Sequence, residues 1–228
     1  MSQAARVKLG PLDVIHVPGE PDGPAIVFFH GFGANAQDLY PLSGMLKAPA
    51  GANWYFPEGV LDLTGGMAPF ASRAWWPIDQ AVMEAAMASG SFRDFSQVTV
   101  PEQTRSAAQA MLDAIGVPLS RVTLGGFSQG AMLATELTLH AAENPAGLVM
   151  LSGAFLHHDA WRSKAPARKG LQFFQSHGKS DILLPFDGAR DLEAMLREAG
   201  LSGEIIEFDG GHEIPEGLLR RLREYLVR

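Results

Sequence analysis

The amino-acid sequence predicts an α/β fold, with a mainly parallel central sheet, helices on both faces, an N-terminal hairpin and no large separate lid domain. Three observations lead there. From residue 25 onward, apolar β-like runs alternate with helix-length runs, the order that produces crossover connections and a parallel sheet. One β-like run, 121–125, passes into a helix-like run through Gly126-Phe127-Ser128-Gln129-Gly130, the spacing of a tight strand-to-helix turn. The chain of 228 residues is 46% hydrophobic and undivided by repeats, low-complexity stretches or long linkers, which suits a single domain over 1–228.

The elements follow in chain order. Strand-like runs at 6–9 and 12–17 meet at Gly10-Pro11 as a hairpin. A strand at 25–30 comes next, then a helix around 36–47 and a strand at 52–56. A Gly/Pro-rich loop runs from about 57 to 79, followed by helical segments at 80–89 and 102–115. In the second of these, Ala108, Met111, Leu112 and Ile115 share one face, the spacing of core packing. The strand at 121–125, the glycine turn and a helix at 129–142 lead to a strand at 146–152 and a loop. The remaining order is strand 171–176, helix 187–199, strand 203–208 and helix 215–227.

At a strand-to-helix turn, G-x-S-x-G is the nucleophile elbow of α/β-hydrolases, so the expected fold sharpens to that one. Glycine alone leaves room on either side of Ser128, whose hydroxyl is lifted above the sheet edge to attack a carbonyl carbon. A serine hydroxyl needs a base to take its proton, and in this fold acid and base follow it in the order Ser…Asp/Glu…His. Of the histidines downstream, His140 falls at the far end of the helix leaving the elbow, and His157 and His158 read as solvated loop residues. His212 lies in Asp209-Gly210-Gly211-His212 at the C-terminal edge of the last strand, where ligands gather in open α/β sheets. Asp181 follows the penultimate strand and is the expected acid, holding the tautomer of His212. Asp187 competes, but it reads as a first-turn carboxylate favoured by the helix dipole. His177 flanks the acid as a structural hydrogen-bonding residue. The oxyanion hole is expected from two backbone N–H groups, that of Gln129 and that of Phe32 in the loop His30-Gly31-Phe32-Gly33-Ala34. Losing one such donor typically costs about 2.7–4 kcal/mol.

That loop has a rival reading, because Gly31-x-Gly33-x-x-Ala36 with Glu58 downstream fits a dinucleotide fingerprint. Two strand-like runs precede it, whereas the fingerprint belongs to the first strand of its unit, and it leaves Ser128, Asp181 and His212 unexplained. The net charge of −7 offers no basic footprint for nucleic acid. Cysteine is absent, which rules out disulfides, thiolate metal sites, a cysteine nucleophile and thioester-linked lipid. No histidine pair has zinc-ligand spacing, so no metal is expected. Without a long apolar run, the expectation is a cytoplasmic protein with no stable membrane anchor. Small hydrolases with exposed apolar loops often form homodimers, and the sequence leaves the oligomeric state open.

With these residues placed, nearly the whole chain resembles the carboxylesterase/phospholipase family of small serine hydrolases that includes acyl-protein thioesterases. The resemblance is carried by Phe29-His30-Gly31-Phe32-Gly33 and Arg73-Ala74-Trp75-Trp76, then by Leu124-Gly125-Gly126-Phe127-Ser128-Gln129-Gly130. It continues in the run LVMLSG at 148–153, in His177-Gly178-Lys179-Ser180-Asp181 and in Gly211-His212-Glu213-Ile214-Pro215. It implies hydrolysis of carboxylic esters, with lysophospholipids or acyl thioesters as alternative substrates, through Ser128, Asp181 and His212. It also implies an oxyanion hole from Phe32 and Gln129, and no cofactor. The alternative from another class is a non-catalytic binding module on the same scaffold, which usually loses a triad member, whereas this chain keeps every expected position. Where many relatives read R-A-W-[FY]-D, this chain has Arg73-Ala74-Trp75-Trp76-Pro77-Ile78-Asp79, in the region the family sets beside the acyl pocket. Trp75, Trp76, Met67 and Phe70, with Met87, are candidates for an acyl groove; ordinary core packing is the competing reading.

Overall fold

Strands form where β-branched and aromatic residues cluster. In a computed structural model describing residues 4–47, 49–65, 72–79 and 94–228, these clusters become β1 (Ala5–Leu9), β2 (Leu12–Val17), β3 (Ala25–Phe29) and β4 (Asn53–Pro57), then β7 (Val122–Phe127), β8 (Gly147–Leu151), β9 (Gln172–Gly178) and β10 (Ser202–Phe208). They pair in the order β1-β2-β4-β3-β7-β8-β9-β10. β2 runs antiparallel to both of its neighbours, and every other pairing is parallel. Two further strands, β5 (Leu61–Asp62) and β6 (Arg73–Ala74), make a separate antiparallel ladder.

All five residues of β3 and of β8 are buried, the continuous apolar run expected of strands covered on both faces. One cluster packs the sheet against α3 (Glu102–Ile115), α4 (Gln129–His140) and α6 (Phe186–Glu198), through Met111, Leu133, Leu137 and Leu192 among others. Another packs the opposite face against α1 (Ala36–Leu39), α2 (Pro41–Leu46) and α7 (Glu216–Leu226), through Leu39, Leu42, Leu218 and Leu222. Apolar residues three and four apart decide which helix face turns inward, as in Ala189, Leu192, Met195 and Leu196 of α6. Among the described residues no helix is long and apolar enough to cross a membrane.

Three boundaries differ from the sequence reading. The helix expected over 36–47 is two short ones. Asn35 and Asp38 form a capping box on α1, and Pro41 opens α2 at a first-turn position where its missing N–H costs nothing. The loop expected after β8 contains α5 (His158–Lys164) and the 3-10 turn Ala165–Arg168, anchored by Trp161, which donates Nε1–H to Glu136 at 2.7 Å. β9 extends to Gly178, so His177 belongs to the strand rather than to the loop after it. The helix expected at 80–89 lies outside the described residues.

β3 pairs with β4 on one side and β7 on the other, so the chain changes its direction of winding between β3 and β7. In open α/β sheets the crevice at such a switch point, beyond the carboxyl ends of the strands, is where ligands bind.

Candidate active site

Ser128 stands at that switch point, between the end of β7 and the first residue of α4. Its backbone adopts φ 55° and ψ −120°, a conformation that L residues avoid and that persists only where surroundings impose it. They do so here. Ser128 N–H donates to Leu151 O at 2.8 Å, and Ser128 O accepts from Ala131 N at 3.0 Å. A Cβ on Gly126 would overlap the backbone of Gly130, and one on Gly130 would overlap the carbonyl of Phe29. The two glycines are thus a steric requirement of the turn.

The loop after β3 runs against the same turn. Ser128 Cβ lies only 3.3 Å from where a Cβ on Gly31 would sit. His30, fully buried, ties this loop down: its Nδ1 lies 2.7 Å from Gly31 O, and its Nε2 accepts from Gly59 N at 2.9 Å. That pattern requires the proton on Nδ1. Burial lowers the pKa of His30, against the opposing pull of the Gly31 carbonyl and Glu58, which keeps the ring neutral. Among the described residues, no backbone carbonyl is bonded to the N–H of Phe32 or of Gln129. The first N–H groups of a helix have no intrahelical partner, and that of Gln129 stands at the helix end where anions are favoured.

The side chain of Gln129 is buried as well. Its Oε1 accepts from Trp75 N at 2.9 Å, and its Nε2 donates to Trp76 O at 2.9 Å. Trp75 in turn donates Nε1–H to His30 O at 2.9 Å and meets Phe29 edge-on at 5.2 Å. The start of α4, the loop after β3 and the Trp75-Trp76 segment are therefore one hydrogen-bonded unit.

Asp181 and His212 come from the loops after β9 and β10. Asp181 Oδ2 lies 2.7 Å from His212 Nδ1, while Oδ1 accepts from Leu183 N and Leu184 N, each at 2.9 Å. Burial works to raise the pKa of Asp181, but the hydrogen bond from His212 and the two amides outweigh it and hold the carboxyl below its usual range. An ionised Asp181 places the His212 proton on Nδ1 and leaves Nε2 as the basic nitrogen. The ring of His212 packs on Phe127, the residue before Ser128, at 4.8 Å between centroids. His212 is 14% exposed and Ser128 is half-buried, so both can be reached from solvent.

The residues expected to be functional divide accordingly. Asp181 and His212 are hydrogen-bonded, His212 packs on Phe127, the residue before Ser128, and among the described residues no backbone carbonyl is bonded to the N–H groups of Phe32 and Gln129. Asp187 sits in the first turn of α6. Trp75 is 0% and Trp76 5% exposed, and both belong to the hydrophobic core. Met67, Phe70 and Met87 lie outside the described residues. Glu58, the acid of the rival dinucleotide reading, is buried; it accepts from Ala36 N at 3.0 Å and pairs with Arg6 at 3.2 Å. It is thereby committed to the start of α1. Sequence reasoning missed the side-chain role of Gln129 and the anchoring by His30; both are buried polar residues beside glycines, the one available signal. A cavity of about 660 Å³ between β2, β4 and the α1–α2 pair is lined by none of Ser128, Asp181, His212, Phe32 and Gln129.

Comparison with known proteins places this geometry in a family. Residues 11–228 match the phospholipase/carboxylesterase family. Acyl-protein thioesterase 1 of Eremothecium gossypii is 28% identical over 208 residues, covering 88% of this chain and 85% of that protein. The carboxylesterase SOBER1 of Arabidopsis thaliana is 24% identical over 207 residues, covering 89% of each. Among solved structures, esterase PE8 superposes with a TM-score of 0.79 at 22% identity, over 94% of this chain and 97% of that one, a likeness of fold. The chain belongs to the phospholipase/carboxylesterase family and shares its α/β-hydrolase fold.

Proposed function

We propose that this member of the phospholipase/carboxylesterase family cleaves carboxylic esters through Ser128, His212 and Asp181, by way of an acyl-enzyme. The observation that carries the reading is the 2.7 Å hydrogen bond between Asp181 and His212, made by an imidazole that packs against the residue preceding a strained Ser128. Nε2 of His212 takes the hydroxyl proton as Ser128 Oγ attacks the substrate carbonyl. Asp181 keeps Nδ1 protonated and stabilises the imidazolium that results. The N–H groups of Phe32 and Gln129 receive the developing oxyanion. His212 then protonates the leaving alcohol, and water repeats the sequence on the acyl-serine to regenerate the enzyme.

The substrate is a small-molecule ester, and the first choice is a simple carboxylic ester. An acyl thioester is the second reading, favoured by the similarity to acyl-protein thioesterase 1; a lysophospholipid is the third. The proposal extends to a single domain over 1–228, a cytoplasmic location and a homodimer, for which limited proteolysis, cell fractionation and light scattering are the tests. The decisive assay is hydrolysis of p-nitrophenyl esters from acetate to palmitate, with Ser128→Ala alongside. Turnover should fall by about 10⁶-fold in the variant, and the preferred chain length separates short-chain esterase from lysophospholipid and acyl-thioester specificity. Undiminished hydrolysis by Ser128→Ala would refute the nucleophile.

A further inference from the structure

Beside Asp181 the fold holds another histidine, which the proposed chemistry does not use. His177 is the next-to-last residue of β9, and its side chain is fully buried. Its Nε2 lies 2.9 Å from the carbonyl oxygen of Leu184. A carbonyl can only accept, so this nitrogen carries the proton. The same edge of the ring lies 3.3 Å from Asp181 Oδ2, the oxygen that also receives His212 Nδ1. Two imidazoles thus flank one carboxylate oxygen. The peptide that His177 grips matters too, because Leu184 N–H is one of the two donors to Asp181 Oδ1.

This arrangement has a cost. With the proton on Nε2, Nδ1 of His177 is a bare acceptor, buried and without a hydrogen-bond partner among the described residues. An apolar side chain of similar size would fill the space without a bare Nδ1, but would leave the Leu184 carbonyl without this donor. Packing therefore does not account for a histidine here, whereas an N–H edge facing both Leu184 O and Asp181 does. The titratable groups that act on the ring are Asp181 and His212; Phe186 adds an aromatic contact at 6.2 Å.

We infer that His177 is a positioning residue for the acid: it fixes the 181–184 turn and presents a second N–H edge to Asp181 Oδ2, so that the carboxylate stays aimed at His212. The inference rests on the assignment of Ser128, Asp181 and His212. Burial lowers the pKa of His177, which favours the neutral ring as donor. It steadies the carboxylate without bringing a competing positive charge.

The test compares His177→Leu, which removes the donor, with His177→Gln, whose amide nitrogen reaches the same place, both on the full chain. In His177→Leu, kcat should fall roughly tenfold or more with KM unchanged, the scale of one lost buried hydrogen bond. The acid limb of its kcat/KM profile should move to higher pH, because a carboxylate with fewer donors holds the His212 proton more tightly. The low-field proton resonance of the His212–Asp181 hydrogen bond should shift with it. His177→Gln should restore all three. Equal behaviour of the two variants, or a wild-type kcat and acid limb in His177→Leu, overturns the inference. If His177→Leu does not fold, His177→Gln decides alone: near wild-type kcat and resonance support the donor role, and a tenfold loss in a folded protein contradicts it. Asp181→Asn serves as the control. Full activity in that variant removes the triad itself, whereas a dead Asp181→Asn beside an unaffected His177→Leu removes only this inference.

Discussion

The same dipeptide stands at the carboxyl ends of β3 and β9, His30-Gly31 directly after β3 and His177-Gly178 as the last two residues of β9, and is used differently. In both, a fully buried neutral histidine pins the loop, and the glycine lets a second loop approach. His30 spends both ring nitrogens on backbone partners, one in its own loop and one in the segment after β4. His177 spends one, on Leu184 O, and its N–H edge also faces the carboxylate that holds His212. The glycines contrast in the same sense. A Cβ at position 31 would meet Ser128 Cβ at 3.3 Å, a tight but adjustable contact. A Cβ at position 178 would overlap the carbonyl oxygens of Gly210 and Gly211, in the loop that carries His212. The nucleophile side of the site is held by the hydrogen-bonded unit of His30, Trp75 and Gln129, and the acid–base side by the Asp181 hydrogen bonds together with a glycine contact that brings two loops into register.

Between the two loops compared, the largest effect should come from breaking the acid. Asp181→Asn should lower kcat by about 10⁴-fold with little change in KM, because the amide favours the wrong tautomer of His212. Asp187→Asn, in the first turn of α6, should leave turnover unchanged, and the reverse result would exchange the two carboxylates. Next comes the glycine contrast. Gly178→Ala should destabilise the protein by about 3 kcal/mol, the upper range for overpacking, and should also slow turnover; Gly31→Ala should cost about 1 kcal/mol. Thermal melts and kcat for the pair check this, and equal costs would abolish the distinction. A smaller effect is expected at Gln129. Gln129→Met removes two buried hydrogen bonds to Trp75 and Trp76 and should lower kcat about tenfold, with a change in tryptophan fluorescence.

The smallest effect is on the pH dependence of stability. Burial lowers the pKa of both His30 and His177. In the unfolded chain a histidine titrates near about 6.5. As pH falls through that value the unfolded chain takes up protons that the folded protein refuses, so stability held above it is lost below. Asp181 is also held low, and its contribution, present above about pH 3.9, disappears as pH falls further. Urea unfolding at neutral pH and at a pH near 5.5 should therefore show a loss in the wild type that is reduced in the double variant His30→Gln, His177→Gln. An identical loss in both would contradict the neutral, buried assignment.

Much of this molecule is legible in its sequence because local rules and tertiary needs agree. The periodicity of Ala108, Met111 and Leu112 marks the buried face of α3, and the glycines around Ser128 mark a turn that no other residue fits. Asp181 and His212, read from chain order, are the residues that meet at 2.7 Å. What was not legible depends on distant partners. Nothing near Trp161 in sequence shows that Glu136, a helix away, will accept its N–H and so anchor α5. Trp75 has the composition of a groove wall, and only the contacts of Phe29, His30 O and Gln129 reveal that it is core. The second contact of His177 was hidden because β9 runs two residues further than its apolar pattern, turning a loop histidine into a strand residue facing Asp181.

A covalent serine probe tests most directly whether Ser128 is the activated nucleophile. Wild-type protein treated with a fluorophosphonate should carry a single adduct, mapped by mass spectrometry to the peptide containing Ser128. Ser128→Ala should remain unlabelled, and His212→Gln should label far more slowly. An adduct that persists in Ser128→Ala, or that maps to another serine, would contradict the account.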